Sequence, residues 1–207
     1  PLADIKAQAK AMPKGDFHFE KALAGKDCAF ICEVKKASPS KGLIAPDFPY
    51  LQIAREYEQA GASAISVLTE PYRFLGSDQY LQEIAQSVNI PVLRKDFTVD
   101  SYMIDQAKTL GASAVLLICS ILDDGAIREY MAQARELGLS ALVEAHDAKE
   151  VERALAAGAS ILGVNNRDLR TFQVDVNNSV RLRAMVPPEI VFVSESGIRG
   201  PEDTKVL

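Results

Sequence analysis

Seven residues able to carry charge or donate a fixed hydrogen bond stand where apolar runs end. The runs are AFICEVKK, PVLRKDF, LSALVEAH, ILGVNNRD and IVFVSESG, and their ends place Glu33, Lys35, Lys95, Glu144, Asn165, Arg167 and Glu195. A charge inside a buried strand is costly unless it is paired or titrates at a shifted pKa. Five such runs in register imply a shared polar floor at the mouth of a parallel barrel, where barrel enzymes build their sites. Two lysines and three carboxylates offer acids, bases and cation partners for a substrate carboxylate or phosphate.

Each motif has its own chemistry. Glu33 and Lys35 are two apart, so they point to one side of a strand. The loop that follows holds Ser38, Ser40, Lys41 and Gly42, which suits a phosphate-contacting or lid loop. Lys95 is flanked by Asp96 and Phe97, and a lysine near carboxylates and apolar walls can act as a general acid. Glu144 is a lone carboxylate at a strand end and a candidate base. The Asn165-Asn166-Arg167-Asp168 run supplies amides and a fork-shaped cation. Ser194-Glu195-Ser196-Gly197 adds a carboxylate and then small residues whose N–H groups can face an anion. The Tyr72 to Ser77 stretch, with Phe97, offers a hydrophobic wall for a planar ring. His18 lies near the N-terminus and His146 after the fifth run. Neither has a visible nucleophile or ligand partner, and both read as structural or solvated.

The elements that must position these residues follow from an internal repeat. Gly-Ala-Ser recurs at 61–63, 111–113 and 158–160, with Gly138-Leu139-Ser140 a near copy. Each follows helical spacing of apolar residues, such as Tyr102, Ile104, Ala107 and Leu110, and precedes a short β-branched run. Glycine there fits the residue just past a helix, where φ is often positive. Strand–helix alternation of this kind implies parallel βα units. Strands are expected at 28–35, 63–69, 91–96, 113–119, 140–145, 160–165 and 190–195. Helical pieces are expected at Leu2 to Met12 and Phe17 to Leu23, with Pro201 opening a further helix.

The expected fold is therefore α/β, a TIM (β/α)8-type barrel with an N-terminal helical extension. Seven strands are visible and the eighth βα unit is missing. We expect one barrel domain over 1–207, with the extension at 1–27 and strands one to seven and the start of the seventh helix at 28–207. Seven strands leave two unpaired edges, so the natural chain is expected to run to about 250 residues, the usual barrel size.

Composition bounds the class. The chain has 207 residues, 48% hydrophobic and 25% charged, with a net charge of −5. That balance fits a globular protein and disfavours nucleic acid or anionic membranes as partners. No signal peptide and no bilayer-length apolar run is visible. Three cysteines in strand-like runs read as reduced thiols in a cytoplasmic protein. Cys28 and Cys32 lack the second pair or nearby histidine that a tetrahedral metal site needs.

Taken together, the motifs resemble the indole-3-glycerol phosphate synthase family, TIM barrels of tryptophan biosynthesis. The resemblance runs over nearly the whole chain. It is carried by EVKKASPSKG at 33–42, LTE and FLGS within 68–77, LRKDF at 93–97, VEA at 143–145, NNRDL at 165–169 and SESGI at 194–198. It implies conversion of 1-(2-carboxyphenylamino)-1-deoxyribulose 5-phosphate to indole-3-glycerol phosphate, with loss of carbon dioxide and water and no metal or cofactor.

By match, Lys95 is the main general acid and Lys35 pairs with the anthranilate carboxylate. Glu144 is the base in the dehydration, and Glu33 and Asn165 position lysines and hydroxyls. Phe74, Phe97, Leu116 and Leu169 line the ring pocket. Ser38, Arg167, Glu195 and Ser196 hold substrate groups, with Gly197 near the phosphate. The partner is the small phosphosugar–anthranilate substrate, and fusion or association with another tryptophan-pathway domain is a further expectation. Two other readings remain open. A phosphosugar isomerase such as phosphoribosylanthranilate isomerase would share the fold without requiring the two lysines and Glu144. A truncated barrel could instead serve as an inactive assembly partner.

Overall fold

A computed structural model of the chain describes residues 2–26, 28–168 and 171–207. Leu169, expected in the ring pocket, lies outside the described residues. The elements run α1 (Leu2–Ala11), α2 (His18–Leu23), β1 (Ile31–Val34), β2 (Ala37–Ser38), β3 (Gly42–Leu43), α3 (Tyr50–Gln59), β4 (Ala64–Leu68), α4 (Asp78–Ser87), β5 (Val92–Lys95) and α5 (Ser101–Thr109). They continue with β6 (Ala114–Ile118), α6 (Asp124–Leu137), β7 (Ser140–Ala145), α7 (Ala148–Ala156), β8 (Ile161–Asn165), α8 (Asn177–Arg183), β9 (Val191–Glu195) and α9 (Pro201–Val206). All seven expected strands form, each within the predicted span. The fold is α/β, with a parallel sheet of seven strands in the order β1-β4-β5-β6-β7-β8-β9.

The order is sequential because each strand returns through a helix to lie beside the previous one, the usual outcome of parallel βα units. β4 and β6 are buried at every residue, as expected of strands covered on both faces. β1 and β9, at the two ends of that order, are the least covered, and every residue of β9 is half-buried. The loop expected over Ser38 to Gly42 is instead a small antiparallel hairpin, β2–β3, pairing Ala37 with Leu43 and Ser38 with Gly42.

The chain divides into two compact units. One comprises Pro1–Leu116 and Ala132–Ser140, the other Leu117–Met131 and Ala141–Leu207. In the first, α1 packs on α5, and β4 and β5 supply the core with Ile65, Val67, Val92 and Leu93. Side chains cap two of its helices: Ser77 accepts from the Gln79 N–H at 3.1 Å, and Asp100 from the Tyr102 N–H at 2.8 Å. In the second, Leu142, Val143, Ile161, Leu162 and Val164 form the core, and Asp147 caps α7 through the Glu150 N–H at 2.9 Å.

The glycine repeat does what its position predicts. Gly61, Gly111 and Gly158 have φ of 91°, 88° and 86°, each just past a helix, and Gly138 has φ of 72°. Gly138 carries a second constraint. A Cβ there would stand 2.0 Å from the Gly15 carbonyl oxygen, because the Gly15 N–H donates to the Leu137 carbonyl at 2.9 Å and brings the two backbones together. At Gly158 nothing lies within 4 Å of such a Cβ. Gly158→Ala should therefore cost only the left-handed backbone penalty, about 1–2 kcal/mol. Gly138→Ala should cost clearly more, because the segment before α2 must also move. Urea unfolding of the two variants checks this, and equal losses would show that the Gly15 contact does not constrain the fold.

Candidate active site

In the first unit, the site residues sit at strand ends and in the loops after them. Glu33 lies in β1, next to Val34, which is buried on the opposite face. Lys35 follows directly, and its ammonium forms an ion pair with Glu33 Oε1. Both side chains keep about a third of their exposure, so the pair is reachable from solvent. Ser38 is buried in the hairpin, 3.5 Å from the Ser40 hydroxyl.

Lys95 closes β5 opposite Leu68 of β4. Strand alternation turns its neighbour Arg94 the other way, into the helices, and Arg94 is only 4% exposed. Such a buried cation requires full pairing. Its guanidinium reaches Asp78 at 3.0 Å, Gln106 at 2.8 Å, the Met103 carbonyl at 3.0 Å and Thr69 at 3.2 Å, with Asp96 at 3.6 Å. Thr69 in turn donates to Asp96, which accepts from the Phe97 N–H at 2.8 Å. This network ties the start of α4, α5 and the end of β5 together, and so fixes the backbone that presents Lys95 and Phe97.

Phe74 and Phe97 face each other, with ring centroids 6.3 Å apart and tilted by 53°. Glu70 shapes the loop that carries Phe74. Its carboxylate accepts from the N–H groups of Tyr72, Arg73 and Phe74 at 2.9, 2.7 and 3.0 Å. Burial pushes this carboxyl up, but the three N–H groups and the Arg73 charge outweigh it, and its pKa is lowered. Leu116, in β6, is 1% exposed.

In the second unit, Glu144 of β7 pairs in register with Gly163 of β8, and Asn165 with Glu195 of β9. Register partners in a parallel ladder face the same way, so Glu144, Asn165 and Glu195 share one face of the sheet. Glu144 is 3% exposed, and its Oε1 accepts from Asn165 Nδ2 at 3.1 Å. Asn165 Oδ1 accepts from the Arg167 N–H at 3.0 Å, which orients the amide. The Arg167 guanidinium donates to the Phe172 carbonyl at 3.2 Å.

Glu195 lies across Gly163: a Cβ on that residue would stand 2.0 Å from Glu195 Oε1. Ser196 and Gly197 follow with φ of 68° and 89°. Asn166 secures this turn by donating to the Ser194 hydroxyl at 2.9 Å and the Ser196 carbonyl at 3.2 Å, while its own oxygen accepts from the Ser179 N–H and hydroxyl.

His146 departs from the expectation. The sequence shows no partner for it, yet its Nε2 lies 3.2 Å from Glu144 Oε1 and its Nδ1 3.1 Å from Glu150 Oε2. The Nε2 contact is within ion-pair reach but lies outside hydrogen-bond geometry, so proximity of opposite charge carries it more than an aligned bond does. Burial works against a charged ring. The two carboxylates overcome it and raise the pKa to about 9.

Sequence reading gives Arg94 and Glu70 no role and His146 no partner, and it names Asn166 only as an amide in its run, without its links to Ser179 and Ser194. Only Arg94 carried a usable signal. It adjoins Lys95 in a strand, so one of the two had to enter the helix layer. Among the described residues, no group of three or more His, Cys, Asp or Glu is placed to hold a metal, and no helix is long and apolar enough to cross a membrane.

The histidine sets a pH dependence of stability. Its folded pKa of about 9 lies above its ordinary 6.5, so its contribution is full below pH 6.5 and is lost as pH rises through 9. The ceiling for such a shift is about 3 kcal/mol. Urea midpoints of the wild type should fall relative to His146→Gln between pH 6.5 and 9. Parallel curves would show that the ring is uncharged in the folded state.

The profile of the indole-3-glycerol phosphate synthase family matches residues 1–207. A protein of that name from Ruminiclostridium cellulolyticum is 58% identical over 204 residues, covering 98% of this chain and 78% of its own. Another, from Endomicrobium trichonymphae, is 59% identical over 189 residues, covering 91% and 73%. Among solved structures, the N-acetylmannosamine-6-phosphate 2-epimerase from Clostridium perfringens aligns with a TM-score of 0.68 at 15% identity, over 91% of this chain and 83% of that one, a likeness of fold alone. With a profile match along its whole length and relatives of this identity, the chain belongs to the indole-3-glycerol phosphate synthase family.

Proposed function

We propose that this chain carries out the family's reaction, the closure of 1-(2-carboxyphenylamino)-1-deoxyribulose 5-phosphate to indole-3-glycerol phosphate with loss of carbon dioxide and water. It is then a carboxy-lyase of tryptophan biosynthesis. The observation that carries the reading is the family match over residues 1–207.

The chemistry asks for groups that this chain has. The substrate is an anion at both ends, a carboxylate and a phosphate. Ring closure needs a proton delivered to a sugar-derived carbonyl, and dehydration needs one removed. In our reading Lys95 protonates the carbonyl as the ring carbon attacks. Lys35, held by Glu33, meets the carboxylate that leaves as carbon dioxide. Glu144, oriented by Asn165, is the base of the dehydration. Phe74, Phe97, Leu116 and Leu169 hold the aromatic ring. Arg167, Glu195, Ser196 and Ser38 hold the sugar and phosphate, with the left-handed turn at Ser196 and Gly197 offering backbone N–H groups to the phosphate.

The finer architecture belongs to the same proposal: a single (β/α)8-type barrel domain, with α1 and α2 as an N-terminal extension and an eighth βα unit beyond the seven strands. The relatives' greater length supports it, since the match covers 78% of the Ruminiclostridium cellulolyticum protein. So does the half-buried state of every residue in β9, whose outer edge is open to another strand.

Lys95→Ala should cut kcat by about 10²- to 10⁴-fold, the usual worth of a general acid, and leave substrate affinity partly intact. Product fluorescence with purified substrate measures both. Near-normal turnover in this variant would remove Lys95 from its assigned role.

A further inference from the structure

The two rings read as a wall for the substrate ring stand on separate loops, Phe74 after β4 and Phe97 after β5. Loops that carry a site are ordinarily more mobile than the strands beneath them. The ring centroids are 6.3 Å apart. That falls within the range of about 4.5–7 Å at which two aromatic rings pack on each other, so they form one surface. Phe97 is 41% exposed, so apolar packing alone does not fix it.

Polar bonds fix both loops, and those bonds meet at Thr69. This residue lies just past β4 and is 4% exposed. Its N–H donates to the Lys95 carbonyl at 3.1 Å. Its hydroxyl is used twice: it donates to Asp96 Oδ2 and accepts from Arg94 Nε at 3.2 Å. The other oxygen of Asp96 accepts from the Phe97 N–H at 2.8 Å. On the far side, Glu70 follows Thr69 directly. Its carboxylate accepts from the Phe74 N–H at 3.0 Å, and its carbonyl from the Gly76 N–H at 2.8 Å. Gly76 closes that loop tightly, since a Cβ there would stand 2.4 Å from the Leu68 carbonyl oxygen. A continuous line of bonds therefore runs from the Phe97 backbone through Asp96 and Thr69 to Glu70 and the Phe74 backbone.

We propose that Thr69 is a positioning residue for ring recognition: its hydroxyl joins the Phe74 and Phe97 loops, so that the two rings meet the aromatic end of the substrate as one preset surface. This rests on the reading of Phe74 and Phe97 as the wall for that ring. The gain is preorganisation. A ligand that must first order two loops loses affinity to the ordering, and a surface already set avoids that loss. Valine has nearly the shape of threonine but can neither donate to Asp96 nor accept from Arg94. Thr69→Val therefore cuts the link with little change of volume, and Thr69→Ser keeps it.

Two measurements test this. The first is amide hydrogen exchange of the wild-type protein. The Phe97 N–H should be protected even though its side chain reaches solvent. Exchange at the rate of a free peptide would overturn the proposal without any variant. The second is steady-state turnover of Thr69→Val, Thr69→Ser, Phe97→Ala and the Thr69→Val/Phe97→Ala double variant. Thr69→Val should raise KM by about 2- to 12-fold, the worth of a well-placed aromatic contact, and change kcat less. Thr69→Ser should restore KM. The double variant should bind no worse than Phe97→Ala, because the link has nothing left to position. A purely structural Thr69 would lower the urea midpoint and leave KM in place, or its effect would multiply with that of Phe97→Ala, and either result sinks the proposal. If Phe97→Ala raises KM and Thr69→Val does not, the wall stands and Thr69 does not position it. If Phe97→Ala leaves KM unchanged, the reading of the wall fails, and the role of Thr69 fails with it.

Discussion

A charge can stand at the end of a buried strand only when a neighbouring element meets it, and this protein is organised around that requirement. Each ionisable group at a strand end has its answer. Lys35 has Glu33 on the same strand. Arg94 has Asp78 and Gln106 on two helices, and Thr69 just past the end of β4. Glu144 has Asn165 on the next strand and His146 just past its own. Desolvation makes an unanswered buried charge expensive by several kcal/mol, so Arg94 and Glu144, both nearly fully buried, depend on these partners.

The parallel sheet makes this arrangement possible. Its strands end together, and strand alternation sends successive side chains to opposite faces. At β5 the result is a division of labour between adjacent cations. Arg94 enters the helix layer and is consumed in structure, while Lys95 faces away from it. At β8 and β9 the same rule sends Asn165 and Glu195 to one face and Ser194 to the other. There Ser194 joins Asn166 and the fully buried Ser179 beneath the turn at Ser196. Residues that shape the site thus alternate with residues that hold its backbone still, which is the support a precise site needs.

Glycine serves the same end where side chains must come close. Gly163 has no Cβ, and the Glu195 carboxyl occupies the space that one would fill. The backbone of β8 is thereby part of the wall against which the Glu195 carboxylate rests. The repeat glycines serve topology, turning each helix into the following strand through a positive φ.

Periodicity and punctuation by themselves determined the seven strands, the helices between them and the strand-end residues. These features are local: a β-branched run bounded by a Gly-Ala-Ser turn can do little else. The order of strands followed from the same alternation, because short parallel connections place each strand beside the last. Tertiary structure alone decided the partners. Glu70 gathers the N–H groups of Tyr72, Arg73 and Phe74, two to four residues on, once the loop after β4 folds back on its carboxylate. A histidine two residues from a glutamate is equally compatible with solvent, and only the return of α7 brings Glu150 to its far side and makes it an ion-pair partner. The link from Asn166 to Ser179 and Ser194, 13 and 28 residues away, is decided by where α8 and β9 pack. Pairing over long sequence separation depends on where helices and strands pack, and local propensity carries no information about that.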